Sequence, residues 1–187
     1  MKKIALLITL ILVGLNFNGF SQEKTKVFTF KIDSDIDPRM TRRVSESLKE
    51  AEKAEANLII IEMDTYGGIV TDADEIRTLL LESKIPVYSF INKDAASAGA
   101  LISIACDSIY MAPGASIGAA TVVNGTDGAA APDKYQSYMR SMMRSTAEAT
   151  GRDPRIAEAM VDEKIVVEGI SDSTSVITFS VSEAIKY

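Results

Sequence analysis

Residues 57–69 read Asn57-Leu58-Ile59-Ile60-Ile61-Glu62-Met63-Asp64-Thr65-Tyr66-Gly67-Gly68-Ile69 and carry the strongest fold signal in the chain. The first seven residues form a nearly continuous apolar run, which is typical of a parallel β-strand covered on both faces. Two glycines then follow the strand and precede a helical pattern, and the carboxyl ends of parallel strands are where sites form in open α/β sheets. We therefore expect an α/β fold with a candidate functional loop at residues 64–69. An ordinary tight turn between a strand and a helix would contain the same glycines.

Short apolar strands and helical segments alternate on both sides of this stretch. Strands are predicted at 27–32, 57–63, 86–91, 108–111 and 176–179. Helices are predicted at 37–56, 71–83, 97–106, 133–150 and 154–161, and from 182 to the end. This order predicts a mostly parallel sheet flanked by helices and joined by right-handed crossovers. Residues 119–132 show no periodicity and are predicted to form a mobile loop.

The composition restricts the chemistry that the protein can perform. A chain of 187 residues fits one globular domain. It contains no histidine, which excludes Ser-His-Asp and Cys-His catalytic sets and every imidazole metal site. The single cysteine, Cys106, excludes an internal disulfide and a CxxC site, and we expect it to be a buried structural thiol. The net charge of −6 argues against nucleic-acid binding, and no residue set predicts a metal or an organic cofactor.

The N-terminus has the pattern of a secretory signal peptide. Lys2 and Lys3 precede the apolar run from Ile4 to Leu15, and Gly19-Phe20-Ser21 provides a small-x-small cleavage site. We predict a signal peptide at residues 1–21 and an exported domain at residues 22–187; an uncleaved N-terminal anchor is the alternative. The last helical pattern runs up to Tyr187, so we expect the chain to be part of a longer protein.

Ser97 is the candidate nucleophile. It lies in Asp94-Ala95-Ala96-Ser97-Ala98-Gly99-Ala100, after the third predicted strand and at a predicted helix N-terminus. Its neighbours are too small to shield its hydroxyl. A serine at this position either caps the helix by accepting a backbone N–H or attacks a carbonyl whose oxyanion the same amides stabilise. The residues alone leave both interpretations open.

Without histidine, a serine nucleophile needs another base, and Lys134 is the best candidate. A lysine can act as a base only in its neutral form, which burial or nearby positive potential favours. If Asp133 caps the following helix, Lys134 lies in its first turn, where the helix dipole disfavours positive charge. An apolar, alanine-rich loop precedes it. An exposed surface lysine is the alternative.

Two acidic groups are poor site candidates. Asp33, Asp35 and Asp37 alternate like calcium ligands but lack the glycine and closing glutamate of a calcium loop. The acidic residues at 72, 74 and 75 are predicted to form a solvated helix face.

In these motifs the sequence resembles the N-terminal protease domain of the NfeD family, membrane-associated serine proteases of the Clp-protease/crotonase fold. The resemblance covers nearly all of residues 26–187. It rests on the segments 61–68, 95–99 and 111–120, on Lys134 ten residues before Arg144-Ser145, and on Gly151-Arg152-Asp153.

The resemblance implies a Ser–Lys dyad, with Ser97 as nucleophile and Lys134 as general base. It implies an oxyanion hole formed by the backbone N–H groups of Gly68 and Ala98, with Gly67 supporting the loop. The implied substrates are hydrophobic segments, notably of stomatin-like membrane proteins. Family members usually continue into transmembrane helices and a small OB-type domain, which this sequence does not contain. The resemblance therefore implies an exported protein of the cell envelope whose full-length form is membrane-bound. The sequence departs from the family at Tyr66, where a proline is common.

Two other functions share this fold. A catalytically inactive scaffold would keep the fold and bind a membrane partner, and a crotonase-type enzyme would act on acyl-CoA. The signal peptide argues against the latter, because CoA thioesters are cytoplasmic substrates. We also expect a homo-oligomer, whose subunit number the sequence does not specify.

Overall fold

The computed structural model describes residues 24–187; the predicted signal peptide at 1–21 lies outside this range. The strands are β1 (Val27–Ile32), β2 (Leu58–Thr65), β3 (Val87–Ala96), β4 (Ser108–Met111), β5 (Ser116–Gly118) and β6 (Thr178–Ser180). The helices are α1 (Pro38–Lys53), α2 (Val70–Leu81), α3 (Ala98–Ile104), α4 (Asp133–Ala149), α5 (Pro154–Ala159) and α6 (Val181–Lys186). No helix within residues 24–187 is both long and apolar enough to cross a membrane.

The strands form one mostly parallel sheet in the order β1-β2-β3-β5-β6. β3 is long enough to pair with β4 along its first half and with β5 along its last three residues. The β5–β6 pair is antiparallel. Because α1, α2 and α3 connect successive parallel strands, the carboxyl ends of β2 and β3 lie side by side at one edge. The predicted α/β class and mostly parallel sheet are thereby confirmed.

The helix α1 shows how the local sequence specifies an element. The Asp37 side chain caps it by accepting the N–H groups of Arg39 and Met40 at 2.9 and 3.0 Å, and Pro38 occupies the first turn. Met40 and Val44 are buried on the face that packs toward the sheet. Asp37 therefore has a structural role in the cap.

The prediction that β2 is covered on both faces is wrong. Burial alternates along the strand: Ile59, Ile61, Met63 and Thr65 are buried, whereas the residues between them are partly exposed. Within residues 24–187 the helices thus bury one face of the strand much more fully than the other. The large core side chains are Ile32, Ile36, Ile59, Ile61, Met63, Ile76, Ile91, Leu101, Ile102 and Met143.

The segment preceding α4 has more structure than the sequence predicts. Val123 and Ala130 form an antiparallel bridge, and the Ala131 N–H donates to the Val122 carbonyl at 2.9 Å. Residues 122–131 therefore form a hairpin. The cap of α4 is Pro132, and Asp133 is instead its first helical residue.

Candidate active site

Ser97 occupies a strained turn between β3 and α3. Its φ of 55° and ψ of −116° lie where non-glycine residues are rare. Its N–H donates to the Gly118 carbonyl at 2.9 Å, whereas its side chain makes no helix-capping hydrogen bond. Such a conformation costs on the order of 1–3 kcal/mol and is concentrated at functional sites. Because the Ser97 side chain makes no capping hydrogen bond, the structure excludes the interpretation of Ser97 as a helix cap.

The two glycines after β2 are required by close packing, Gly67 against this turn and Gly68 against the Ile36 backbone. A Cβ on Gly67, whose φ is +110°, would lie 2.7 Å from the Ser97 Cβ and 3.2 Å from the Ala98 nitrogen. A Cβ on Gly68 would lie 2.2 Å from the Ile36 carbonyl oxygen. Contacts below 3 Å exclude any side chain without movement of the neighbours. The loop after β2 therefore lies directly against Ser97.

Ser97, Gly68 and Ala98 line one small cavity of about 50 Å³. Across the part of the chain that the structure describes, the N–H groups of Gly68 and Ala98 donate to no protein acceptor. The remaining lining is apolar and comprises Val70, Ala73, Ala120, Val122, Val123 and Met139. This arrangement offers two free amide donors beside a hydroxyl, which suits an oxyanion that forms on attack by that hydroxyl.

Of the residues predicted as the dyad and the oxyanion hole, Lys134 is the one that does not line this cavity. It is exposed in the first turn of α4, and its amine lies 4.7 Å from the centroid of the Tyr135 ring. Within residues 24–187 its amine makes no hydrogen bond to Ser97. Met139, five residues further along α4, does line the cavity. The structure thus brings Ser97, Gly67, Gly68 and Ala98 together, whereas Lys134 is not part of the cavity lining.

Gln136 links the hairpin to α4, a role that the sequence does not reveal. Its Oε1 accepts the Val122 N–H at 3.0 Å, and its Nε2 donates to the carbonyls of Val122 and Ala131 at 2.7 and 3.1 Å. These three bonds tie the two ends of the hairpin to the helix that carries Lys134. No sequence signal marks this glutamine, because its partners are backbone groups outside its own helix.

Two other lysines near the predicted loop, Lys93 and Lys31, form ion pairs with carboxylates of β2. A hydrogen bond to Asp64 at 3.0 Å raises the pKa of the Lys93 amine, so that lysine keeps its proton at neutral pH. Glu62, at 2.9 Å, likewise raises the pKa of Lys31. Charged lysines are unsuited to act as a general base.

The predicted acidic face of α2 is only partly solvated. Asp72 is buried and accepts a hydrogen bond from Thr41 at 2.9 Å, which contradicts the sequence prediction for that residue. Asp74 accepts hydrogen bonds from Arg77 and Tyr138 at 2.8 and 3.0 Å. These contacts anchor α2 to α1 and to α4.

A much larger cavity lies elsewhere. It measures about 730 Å³ and is bordered by β4, α5 and α6, with Phe90, Tyr110, Met160 and Phe179 in its wall. It contains neither Ser97 nor the free amides. Because chemistry requires a nucleophile and donors together, we assign the candidate site to the smaller cavity.

Comparison with known proteins identifies relatives of the chain. The chain is 36% identical over 178 residues to the membrane protein NfeD1b of Bacillus subtilis (strain 168), covering 95% of this chain and 40% of that protein. It is 37% identical over 122 residues to the membrane-bound protease PH1510 of Pyrococcus horikoshii, covering 62% of this chain and 28% of the protease. The chain therefore spans less than half the length of either relative.

Solved structures show the same fold. The 1510-N membrane-bound stomatin-specific protease, in a lysine-to-alanine variant bound to a substrate peptide, superposes with a TM-score of 0.77 at 30% identity, covering 88% of this chain and 73% of that one. ClpP1 from Listeria monocytogenes shares the fold alone, with a TM-score of 0.62 at 23% identity over 85% of this chain and 86% of that one. The family described as NfeD1b, N-terminal domain, matches residues 26–187, and the chain belongs to that family.

Proposed function

We propose that this domain is a serine endopeptidase in which Ser97 is the nucleophile and Lys134 the general base. The observation that carries the proposal is the strained Ser97 turn with the free N–H groups of Gly68 and Ala98 around one cavity. Similarity to the PH1510 protease supports a protease of that kind. The sequence has no histidine, so the base must be of another residue type, and we propose a lysine.

The reaction would proceed through an acyl-enzyme. As the Ser97 Oγ attacks the scissile carbonyl, its proton passes to the neutral Lys134 amine, and the Gly68 and Ala98 amides stabilise the oxyanion. Collapse of the tetrahedral intermediate breaks the C–N bond, and the Lys134 ammonium returns the proton to the leaving amine. Water then attacks the ester carbonyl with Lys134 again as base. The products are the free carboxylate and the restored Ser97 hydroxyl.

This reaction requires the Lys134 side chain to turn from the Tyr135 ring toward the cavity. Exposed lysine side chains change rotamer freely, and the ring contact at 4.7 Å is a single exposed cation–π interaction worth roughly 0.5–1 kcal/mol. A bound peptide that fills the apolar part of the cavity would exclude water around the amine and favour its neutral form. We propose that substrate binding favours this movement.

The substrates we propose are hydrophobic segments of stomatin-like membrane proteins. The cavity wall beside Ser97 is apolar, with Val122, Val123 and Met139 in it. The homologous 1510-N enzyme is described as stomatin-specific, which supports the same substrate class here. We further propose that the domain is exported, acts at the membrane and assembles as a homo-oligomer; relatives named as membrane proteins support membrane association.

Fluorophosphonate labelling of the purified protein between about pH 6 and 10 tests the proposal. We expect labelling of Ser97 at a rate that rises with pH, because a general base acts only in its unprotonated form. Ser97→Ala abolishes labelling, and Lys134→Ala reduces it at every pH. Lys49→Ala removes an exposed lysine of α1 and is the matched control with unchanged labelling. Wild-type labelling in purified Lys134→Ala protein would eliminate Lys134 as the base.

A non-catalytic scaffold is the second candidate, and the exposed position of Lys134 away from Ser97 favours it. Tyr66, 80% exposed beside the glycine pair, offers a contact for a partner in that case. The scaffold predicts binding of a hydrophobic peptide with no cleavage of it and with equal affinity for Ser97→Ala protein. Cleavage that depends on Ser97 would exclude the scaffold.

A further inference from the structure

Thr65, the last residue of β2, contacts three segments of the chain at once: Ser34, the glycine loop and the start of α3. Its hydroxyl donates to the Ser34 carbonyl at 2.7 Å and accepts the Gly67 N–H at 3.2 Å. Its Cγ2 would lie 2.7 Å from a Cβ placed on Gly99, so its methyl group packs against α3. The side chain is only 2% exposed. Thr65 also pairs with Ala95 of β3 just after a register shift in the sheet.

We infer that Thr65 is a positioning residue that holds the Gly67–Gly68 backbone against Ser97. A diglycine segment has unusual backbone freedom, so its amides point in one direction only when other groups fix them. The Thr65 hydroxyl fixes the Gly67 N–H, and the Ile36 N–H donates to the Gly67 carbonyl at 2.9 Å. The N–H and the carbonyl of Gly67 are therefore both held by hydrogen bonds. This sets the direction of the next amide, the N–H of Gly68. This inference rests on the serine protease function proposed above.

The hydrogen-bond arrangement requires a hydroxyl at this position. The Thr65 hydroxyl donates its hydrogen bond to the Ser34 carbonyl, and an oxygen lone pair remains to accept the Gly67 N–H. A valine has nearly the same shape but would leave both backbone groups without their partner. A serine would keep both bonds and lose only the methyl contact with Gly99. The two substitutions separate hydrogen bonding from packing.

Three variants test the inference through the labelling rate of Ser97 and the cleavage of an apolar peptide. We expect Thr65→Val to lower the labelling rate at least about tenfold, part of the 10²–10³-fold that loss of a whole oxyanion donor costs. The KM for the peptide stays within about twofold, because the oxyanion forms only after binding. Thr65→Ser restores the rate to within about threefold of the wild type. Thr78→Val, the same chemical change at an exposed threonine of α2, is the control.

Amide hydrogen exchange supplies a readout that does not depend on catalysis. In Ser97→Ala protein, Thr65→Val is expected to accelerate exchange of the Gly67 amide at least about tenfold, and Thr65→Ser to leave it protected. An unchanged Gly67 exchange rate, or equal losses of labelling in both Thr65 variants, would overturn the role of Thr65. A wild-type protein that is not labelled at Ser97 would instead overturn the proposed protease function, and the two failures are thereby distinguished.

Discussion

The substitution Gly67→Ala probes the contact on which the candidate site depends. The added methyl group would lie 2.7 Å from the Ser97 Cβ, 3.1 Å from its Oγ and 3.2 Å from the Ala98 nitrogen. The backbone there has a φ of +110°, which an alanine adopts only with strain. Two penalties therefore act together: the strained backbone costs about 1–2 kcal/mol, and overpacking costs about 1–3 kcal/mol. We expect the free energy of unfolding to fall by about 2–5 kcal/mol.

A second glycine separates these two penalties. Gly114 has a φ of +87° and no atom within 4 Å of the position that a Cβ would take, so Gly114→Ala experiences the backbone strain without the clash. We expect it to lose only about 1–2 kcal/mol. A double substitution isolates the clash further: in a Ser97→Gly background the Cβ and Oγ contacts vanish, and Gly67→Ala should cost less than in the wild type.

Urea unfolding followed by circular dichroism measures the free energies, and fluorophosphonate labelling measures access to Ser97. With a wild-type stability of about 10 kcal/mol, the middle of the usual range for a domain, the Gly67→Ala protein should remain folded in buffer. Its labelling rate should fall at least about tenfold, because the methyl group occupies space beside the hydroxyl and displaces the oxyanion donors. Equal destabilisation by Gly67→Ala and Gly114→Ala, together with wild-type labelling in both, would refute the reasoning.

Three further outcomes follow from the ionisable groups. Burial raises the pKa of the Cys106 thiol to about 12, so Ellman's reagent should fail to react with the folded protein at about pH 8 and react rapidly in guanidinium chloride. The hydrogen bond to Asp74 raises the pKa of the Tyr138 phenol in the folded protein. The stability that this bond contributes is therefore present below the pKa of the unfolded state and is lost as pH rises through the pKa of the folded state. The titration of Tyr138 is isolated by subtracting the tyrosinate absorbance of Tyr138→Phe protein. In Asp74→Asn protein we expect Tyr138 to ionise at a lower pH than in the wild type. The Arg39 guanidinium and the Met40 N–H lower the pKa of Asp37 in the folded protein. The stability that these bonds contribute is therefore present above the pKa of the unfolded state and is lost as pH falls through the pKa of the folded state. Urea unfolding should show a smaller loss of stability between about pH 7 and 3 in Asp37→Ala protein than in the wild type.

The parts of the fold that follow from local pattern could be predicted from the sequence. The strand predicted at 27–32 has those bounds in the structure, and α1 begins after the Asp37 cap. The sequence does not predict β5, because its three residues are too few to show a periodic pattern. They become a strand only by pairing with the end of β3 and with β6. Such pairing depends on chain segments far apart in sequence, which single-sequence patterns do not contain.

Part of the candidate site could likewise be predicted from the sequence, and part of it could not. The sequence predicts a candidate functional loop at residues 64–69 and a candidate nucleophile at Ser97, and in the structure a Cβ on Gly67 would lie 2.7 Å from the Ser97 Cβ. The role of Thr65 could not be predicted, because its partners include the Ser34 carbonyl 31 residues earlier. The dyad of Ser97 and Lys134 stays a prediction, since the direction of a flexible lysine side chain follows from neither sequence spacing nor helix position.

The two halves of the proposed dyad are held by different means, and this difference bears on how catalysis would be controlled. Ser97 and the glycine loop are fixed by backbone contacts that leave no room for a methyl group, so their geometry has little freedom to change. Lys134 lies at the start of a helix that Gln136 ties to the hairpin of residues 122–131. That hairpin also contributes Val122 and Val123 to the cavity wall. A peptide entering the cavity must therefore contact the element to which the base is attached, while the nucleophile and its amides stay in place. Assembly of the dyad would then depend on occupancy of the cavity, which would limit the activity of Ser97 in the absence of substrate.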